Sequence, residues 1–285
     1  MSLNIIKTEL KFGLEKEIKL LHLTDTHISL ADSRDDAVKR QLAVGRAREF
    51  DRGTDGQAER LWEEAVIHAR ENNMTIVHTG DLIDFLSYAN LDFLDRAFGG
   101  VDYIYAAGNH DFCHFVGRAK EDAQYKRDSM KITAPHIKSN LTFDSKVIGG
   151  VNIVTLDNSY YLISDGQTEM LRAEAAKEFP ILLFVHCPFF TKNHADFALE
   201  NGNPCAYLCG APREYTDKYS KERRLQQTPD HSTLRAIDYI YSEPLIKAVF
   251  AGHTHHNREE TLPSGIMQYI TGGTFFGDAR EIILT

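Results

Sequence analysis

Residues 19–27 read Lys-Leu-Leu-His-Leu-Thr-Asp-Thr-His, an apolar run that predicts a buried strand and ends in Asp25 and His27. Other apolar runs end in the same way, in residues that can bind a cation or transfer a proton. They lead into Gly80-Asp81, Gly108-Asn109-His110-Asp111, His186-Cys187-Pro188 and Gly252-His253-Thr254-His255. The sequence therefore places one polar block after each of five predicted strands.

Segments with helical spacing separate these strands. Short apolar runs between turn-like residues predict strands at 18–24, 74–79, 101–106, 151–156, 181–185 and 246–251. Helices are predicted from an apolar stripe at 58–69, and at 91–98, 169–179 and 234–241. Strands that alternate with helices indicate βαβ units and a largely parallel sheet. A hairpin at 146–153, with Gly149-Gly150 in its turn, adds an antiparallel part.

The chain has 285 residues with no internal repeat or clear boundary, so we expect a single domain that spans 1–285. Two stretches depart from the alternation of strands and helices. They are the charged segment 31–56, with a helical middle at 35–50, and the weakly patterned segment 191–230. Segments of this length inside a compact domain are often functional, so both are candidate lid insertions.

The composition excludes several classes of protein. Hydrophobic residues make up 42% and charged residues 26% of the chain, as in folded globular proteins rather than disordered or fibrous ones. No apolar run approaches the roughly 18 residues of a membrane span, so no membrane partner is expected. A net charge of −9 argues against a nucleic-acid partner. The lack of a signal-peptide pattern and of a disulfide framework predicts a cytoplasmic protein.

The polar blocks should meet at one edge of the sheet, because the carboxyl ends of parallel strands converge on one crevice. Carboxylates and imidazoles buried together are costly without a compensating cation, so a metal site is predicted. Seven candidate ligands suit two ions, and mixed nitrogen and oxygen donors suit Mn, Fe or Zn. The candidate ligands are Asp25, His27, Asp81, Asn109, His186, His253 and His255.

Taken in order from residue 25 to residue 255, the five blocks resemble those of the calcineurin-like metallophosphoesterase superfamily. The resemblance implies an α/β fold, a four-layer α/β/β/α sandwich of two mixed sheets flanked by helices. It also implies a hydrolase of phosphoric esters, in which a hydroxide between two divalent transition-metal ions attacks phosphorus in line.

The resemblance also implies a role for each residue of the blocks. The ligands would divide into two sets joined by a bridging carboxylate: Asp25, His27 and His255 for one ion, Asn109, His186 and His253 for the other, and Asp81 between them. His110 would contact a phosphoryl oxygen or protonate the leaving group. Asp111 would not bind a metal itself but would orient the ring of His110, fixing its tautomer or raising its basicity.

This sequence departs from the motifs of two subfamilies, which limits the reactions that we expect it to catalyse. Protein serine/threonine phosphatases carry an arginine after the Gly-Asp block and another before Gly-Asn-His, where this chain has Asp84-Phe85 and Ala107. Purple acid phosphatases have Gly and Tyr at the positions of His27 and Asp84. The pattern of this chain is instead similar to that of the small bacterial branch that includes class III cyclic-nucleotide phosphodiesterases. We therefore expect a phosphodiesterase that acts on a small phosphate ester.

Two other functions stay open. One is a phosphomonoesterase acting on a sugar or nucleotide phosphate, with cationic contacts from arginines of the two insertions, namely Arg34, Arg40, Arg213, Arg223 and Arg224. The other is a non-catalytic scaffold that uses the fold without turnover.

Several further residues are interpreted as structural. Asp84 is interpreted as a solvated carboxylate at a helix start, with contact to the metal sphere from one turn beyond Asp81 as the alternative. Cys205 and Cys209 are interpreted as ordinary cysteines, since no second pair that would complete a zinc site lies nearby. Three aromatic pairs are expected in the core, with a substrate pocket as the alternative: Tyr160-Tyr161, Phe189-Phe190 and Phe275-Phe276.

Overall fold

The computed structural model describes residues 2–116 and 122–285, and its strands form two mixed sheets. The strands are β1 (Asn4–Leu10), β2 (Ile18–Leu23), β3 (Thr75–His78), β4 (Tyr103–Tyr105), β5 (Phe143–Ile148), β6 (Val151–Leu156), β7 (Ile181–Val185), β8 (Ile246–Ala251), β9 (Arg258–Thr261), β10 (Met267–Ile270) and β11 (Asp278–Leu284). The first sheet has the order β1-β11-β2-β3-β4, and the second has the order β5-β6-β7-β8-β10-β9.

Helices flank the two sheets. They are α1 (Ala37–Phe50), α2 (Gln57–Glu71), α3 (Tyr88–Arg96), α4 (Ala123–Thr133), α5 (Asp165–Ala175), α6 (Lys192–Glu200), α7 (Arg213–Thr216), α8 (Lys221–Gln227) and α9 (His231–Ser242). Of these, α2 and α3 are packed on the first sheet, and α5 and α9 on the second. Side-chain caps begin several of them, as where Ser164 and Gln167 form a capping box at α5. In the described part of the chain, no helix combines the length and the apolar composition that a bilayer crossing requires.

The core consists of three buried layers of side chains, which gives the expected α/β/β/α sandwich. Along β2, Leu20 faces the second sheet and contacts the same cluster as Phe184 of β7. The next residue, Leu21, points to the opposite face and packs with Trp62 of α2. A separate cluster joins β7 and β8 to α5 and α9. This alternation follows from the two-residue period of a strand.

The strands that precede the polar blocks run parallel to one another within each sheet, as the sequence predicted. β2, β3 and β4 pair in parallel, and so do β6, β7 and β8, so their carboxyl ends lie at common edges. The hairpin is also confirmed, since Ile148 of β5 pairs antiparallel with Val151 of β6 across Gly149-Gly150. The helix predicted at 169–179 in fact begins four residues earlier, at Asp165.

Other parts of the fold were not foreseen. The segment 191–230, which is weakly patterned in sequence and for which no helix was predicted, contains the helices α6, α7 and α8. Their apolar residues pack into a small cluster of their own around Cys205 and Tyr215. β11 lies between β1 and β2, parallel to the first and antiparallel to the second. That position depends on pairing between distant ends of the chain, which local sequence patterns do not encode.

Candidate metal centre

The structure brings all seven candidate ligands to one edge of the sandwich. Asp25 and His27 follow β2, Asp81 follows β3 and Asn109 follows β4. The remaining three follow strands of the second sheet, His186 after β7 and His253 with His255 after β8. The centre therefore lies where the carboxyl ends of strands from both sheets meet, as expected for a ligand site in an α/β fold.

Three donor atoms form one cluster. His27 Nε2 lies 3.1 Å from His255 Nε2, and Asp25 Oδ1 lies 3.7 Å and 3.3 Å from these two nitrogens. Asp25 Oδ1 is buried and has no hydrogen-bond partner. The other oxygen of the same carboxylate accepts hydrogen bonds from the Thr24 hydroxyl and from the His253 backbone N–H. Asp25 is thus held by one oxygen, and its second oxygen is left for another partner.

A second cluster surrounds His186. Its Nε2 lies 3.0 Å from His253 Nδ1, 3.2 Å from Asn109 Oδ1 and 3.3 Å from Asp81 Oδ2. Asp81 Oδ2 is also 3.8 Å from His27 Nε2 in the first cluster. One carboxylate oxygen therefore faces both clusters, which is the position that a bridging ligand requires.

The donor set fits two divalent cations. Ligands about 2.0–2.2 Å from one ion lie roughly 3–3.6 Å apart, which is the range of most of these separations. Two pairs of imidazole nitrogens face each other at 3.0–3.1 Å, and lone pairs that converge in this way need a positive charge between them. The unpartnered oxygen of Asp25 points to the same conclusion.

The backbone at the centre is held in an uncommon conformation. Five of the seven candidate ligands have a left-handed φ between 50° and 67°, namely Asp25, His27, Asp81, His253 and His255. Residues other than glycine rarely adopt this conformation, and it is concentrated at functional sites. Close packing adds a second constraint at Gly252, where a Cβ atom would lie 1.9 Å from Thr24 Oγ1 and 2.5 Å from Asp25 Oδ2.

The buried carboxylates give the centre an excess of negative charge. Burial acts to lower the pKa of His27, but hydrogen bonds to Asp25 and Asp84 and the charge of Asp81 outweigh it and raise this pKa to about 10. For His186, burial is likewise outweighed, chiefly by the charge of Asp81, and the pKa rises to about 9. The buried carboxylates therefore attract positive charge, which bound cations would supply.

Asp84 is not the solvated carboxylate that the sequence suggested. It is fully buried, and its Oδ1 lies 2.8 Å from His27 Nδ1 and 3.0 Å from His110 Nδ1. Arg46 of α1 also donates to it. The spacing Asp81-x-x-Asp84 was visible in the sequence, but the short irregular turn after β3, which aims Asp84 inward, was not.

Asp111 does not contact the ring of His110 in the way that the resemblance implied. Its carboxylate accepts hydrogen bonds from the backbone N–H groups of Asp81, Leu82 and Gly108. Burial and the charge of Asp81 raise the pKa of Asp111 to about 6. Asp111 therefore holds together the two loops that carry Asp81 and Asn109, and Asp84 takes the place beside His110.

The centre opens into a cavity of about 960 Å³. His110 lines it, together with Tyr160, Tyr161 and Phe276 from the predicted aromatic pairs, whereas Phe189 is buried in the core. At one end Phe50 of α1 stacks on His27 with ring centroids 4.2 Å apart. At the other end Tyr207 lies edge-on to His253 at 5.8 Å. Residues of both segments, 31–56 and 191–230, thus contribute to the walls.

Among the residues that the structure describes, two arginines line the cavity. Arg223 of α8 was among the candidates named from the sequence, and its guanidinium lies over the ring of Tyr207. Arg46 was not, because nothing in the charged segment 31–56 distinguishes it from its neighbours. Arg34, another candidate, pairs instead with Asp32 and Asp92 at the surface.

Several solved structures are similar to this one at low sequence identity. A dimetal phosphatase from Danio rerio is 16% identical, with 90% of this chain and 88% of that chain covered and a TM-score of 0.48. A putative 5′-nucleotidase from Staphylococcus aureus is 12% identical, with 95% of this chain and 51% of that chain covered and a TM-score of 0.47. A phosphopantetheinyl hydrolase from Mycobacterium tuberculosis is 11% identical, with 90% of each chain covered and a TM-score of 0.42.

The comparison with protein families gives the stronger result. No curated protein matches the sequence. Residues 18–257, most of the chain and every predicted ligand, match the calcineurin-like phosphoesterase family. The chain therefore belongs to the calcineurin-like phosphoesterase family and is a hydrolase of phosphoric ester bonds.

Proposed function

We propose that this protein is a dinuclear metal-dependent phosphodiesterase that acts on a small phosphate ester. The observation that supports it best is the pair of donor clusters that share Asp81, at the base of a cavity with aromatic walls at both ends. In this proposal the ligand sets are Asp25, His27 and His255 for one ion and Asn109, His186 and His253 for the other, with Asp81 bridging.

Two divalent ions such as Mn, Fe or Zn, when bound there, supply Lewis-acid charge to the phosphoryl oxygens and activate the attacking water. Four positive charges exceed the two negative charges of Asp25 and Asp81, so the centre attracts an anionic phosphoryl group. Asp111 and the left-handed loops keep the ligands in place before the substrate arrives.

His110 is the proposed catalytic side chain. Its Nδ1 lies 2.9 Å from the backbone oxygen of Asp84 and 3.0 Å from the carboxylate, so Nε2 is the ring nitrogen left for substrate. From the wall of the cavity it can donate a hydrogen bond to a phosphoryl oxygen or a proton to the leaving alcohol. In the metal-free protein, burial lowers the pKa of His110, but the charges of Asp81 and Asp84 outweigh this and raise it.

A diester substrate is supported by charge and by space. A phosphomonoester carries close to two negative charges at neutral pH, whereas a diester carries one. Arg46 offers little charge to substrate, because Asp84 and Glu49 already accept its hydrogen bonds. The cavity of about 960 Å³ leaves room for two organic substituents on phosphorus.

A phosphomonoesterase is the second candidate, and the position of Arg223 favours it. This arginine lines the cavity from α8 and could pair with the second charge of a terminal phosphoryl group. The four cysteines are free and buried, which supports the cytoplasm as the compartment.

The test compares hydrolysis of bis-p-nitrophenyl phosphate and of p-nitrophenyl phosphate by the Mn²⁺-loaded protein. The proposal predicts a higher kcat/KM for the diester. A preference for the monoester that disappears in Arg223→Met would contradict the proposal and establish the second candidate. No turnover of either ester by fully metal-loaded protein would contradict both and favour a scaffold.

A further inference from the structure

The buried carboxylate of Asp84 contacts the rings of two histidines of the centre. Asp84 Oδ1 lies 2.8 Å from Nδ1 of His27, a candidate ligand, and 3.0 Å from Nδ1 of His110. A partner on one ring nitrogen fixes the tautomer and the orientation of an imidazole, and so directs the other nitrogen. A small rotation of Asp84 would therefore move a ligand and a substrate-binding group together.

Asp84 is itself held by Arg46. The guanidinium donates from Nε to Asp84 Oδ2 at 2.6 Å and from the adjacent terminal nitrogen to Oδ1 at 2.9 Å. This two-point contact fixes the plane of the carboxylate, which a single ammonium group cannot do. The remaining terminal nitrogen of Arg46 donates to Glu49, an exposed residue of the same helix.

The helix that carries Arg46 has few other attachments. Of the 14 residues of α1, Ala43 and Phe50 are buried. Phe50 stacks face to face on His27, and the Arg46 guanidinium lies 4.8 Å from the centre of the Phe50 ring. A second, smaller cavity of about 160 Å³ lies beneath this end of α1, beside His27 and Phe50. Phe50 also packs into the core beside Phe275, with ring centroids 4.8 Å apart, so Phe50 and Arg46 attach the same end of the helix to both the core and the catalytic centre.

We propose that Arg46 is a positioning residue of the active site, which acts through Asp84 to orient His27 and His110. Helix α1 lies in the segment 31–56, which the sequence suggested to be a lid insertion. Through Arg46 it then helps to arrange the active site. This inference depends on phosphoester hydrolysis but not on the choice between diester and monoester.

The expected consequences of losing Arg46 follow from its effect on His27 and His110. Without the two-point contact, Asp84 can rotate, His110 is misaligned in the transition state and kcat falls. His27 loses its fixed orientation as well, so one of the two ions binds more weakly. Loss of a residue that supports ligands in this way typically lowers activity or metal affinity about 10- to 100-fold.

The experiment compares Arg46→Met and Arg46→Lys with Arg48→Met, an exposed arginine on the same helix. The substrate is whichever p-nitrophenyl ester the unmodified protein hydrolyses faster, so that a wrong diester assignment leaves the test intact. Mn²⁺ titration of each purified, metal-free variant gives the affinities of the two ions. Circular dichroism establishes that each variant is folded.

We expect Arg46→Met to lower kcat about 10- to 100-fold with KM changed less than about threefold, and to weaken one Mn²⁺ site by a similar factor. Millimolar guanidinium should recover part of kcat in Arg46→Met, and Arg46→Lys should recover less than the native arginine. Arg48→Met should match the unmodified protein.

Two results would overturn the proposal. A raised KM with unchanged kcat and unchanged Mn²⁺ affinity would make Arg46 a direct substrate contact. Unchanged kcat, KM and Mn²⁺ affinity in a folded Arg46→Met would mean that Asp84 keeps its position without it. If Arg46→Met fails to fold, Arg46→Lys with the same Mn²⁺ titration decides between these outcomes.

Discussion

The phenol oxygen of Tyr161 lies 2.8 Å from Nε2 of His253, whose other ring nitrogen faces His186. Tyr161 is buried and has a left-handed φ of 62°, so a constrained turn aims its side chain at the centre. With Nδ1 of His253 facing the ligand cluster, Nε2 carries the proton and donates to the phenol. Tyr161 therefore fixes the orientation of a candidate ligand.

Removal of this hydroxyl should weaken metal binding. We expect Tyr161→Phe to lower the affinity of one Mn²⁺ ion about 10-fold, because His253 loses the partner that orients it. Isothermal titration of metal-free protein measures this change. Tyr160→Phe is the matched control, since its ring contacts Phe112 and Lys126 rather than a candidate ligand. Equal affinities in the two variants would show that the phenol does not position His253.

Replacement of the shared carboxylate should abolish hydrolysis. Asp81 faces both clusters with Oδ2, while its Oδ1 accepts a hydrogen bond from the His110 backbone N–H. Asp81→Asn can keep that backbone contact and removes the bridging charge, whereas Asp81→Ala removes both. We expect both variants to lose kcat by orders of magnitude and Asp81→Asn to remain the more stable. Steady-state kinetics and urea unfolding test this pair, and retained hydrolysis in either variant would refute the dinuclear assignment.

Two glycines should respond to alanine in opposite directions. At Gly252 a Cβ atom would lie 1.9 Å from Thr24 Oγ1, so Gly252→Ala must displace the strand end that holds Asp25. We expect a loss of about 1–3 kcal/mol in the free energy of unfolding, together with loss of activity. At Gly45, inside α1, a Cβ atom would enter open space, and Gly45→Ala should stabilise by about 0.5–1 kcal/mol. Urea denaturation measures both, and a neutral Gly252→Ala would disprove the close-approach argument.

A buried histidine outside the centre should make stability depend on pH. Burial, with the charges of Arg258 and His256, lowers the pKa of His194 to about 4, and its Nδ1 has no hydrogen-bond partner. The unfolded chain therefore binds this proton near pH 6.5, and the folded protein does so only near pH 4. The contribution of neutral His194 to the free energy of unfolding is therefore complete above pH 6.5. It decreases as the pH falls from 6.5 toward 4, by up to about 1.4 kcal/mol per pH unit.

The measurement is the difference in unfolding free energy between pH 7 and pH 5. We expect His194→Gln to lose about 1–2 kcal/mol less than the unmodified protein over this interval. His231→Gln, at an exposed position on α9, should behave like the unmodified protein. Identical pH dependence in His194→Gln and the unmodified protein would contradict the assignment.

The sequence was a good guide to the parts of the fold that depend on local patterns. Apolar runs of strand length predicted β2, β3, β6, β7 and β8 to within about two residues, and the apolar stripe predicted α2. The helices of 191–230 were missed because they bury their few apolar residues in a local cluster and lack a stripe toward the main core. β11 was missed because its partner β1 lies at the far end of the chain, and the short strands of the local hairpin β9–β10 were missed as well.

The sequence by itself determined which donor atoms gather at the sheet edge, because each candidate ligand follows a strand within four residues and parallel strands end at the same side. Only the tertiary structure decided which side chains support those ligands. Arg46 and Asp84 are 38 residues apart, and Tyr161 and His253 are 92 residues apart. Such contacts depend on how α1 and the loop after β6 pack against the sheets. Spacing within one segment determines direction along a strand or helix, but the partner of a buried polar atom is set by the packing of separate segments.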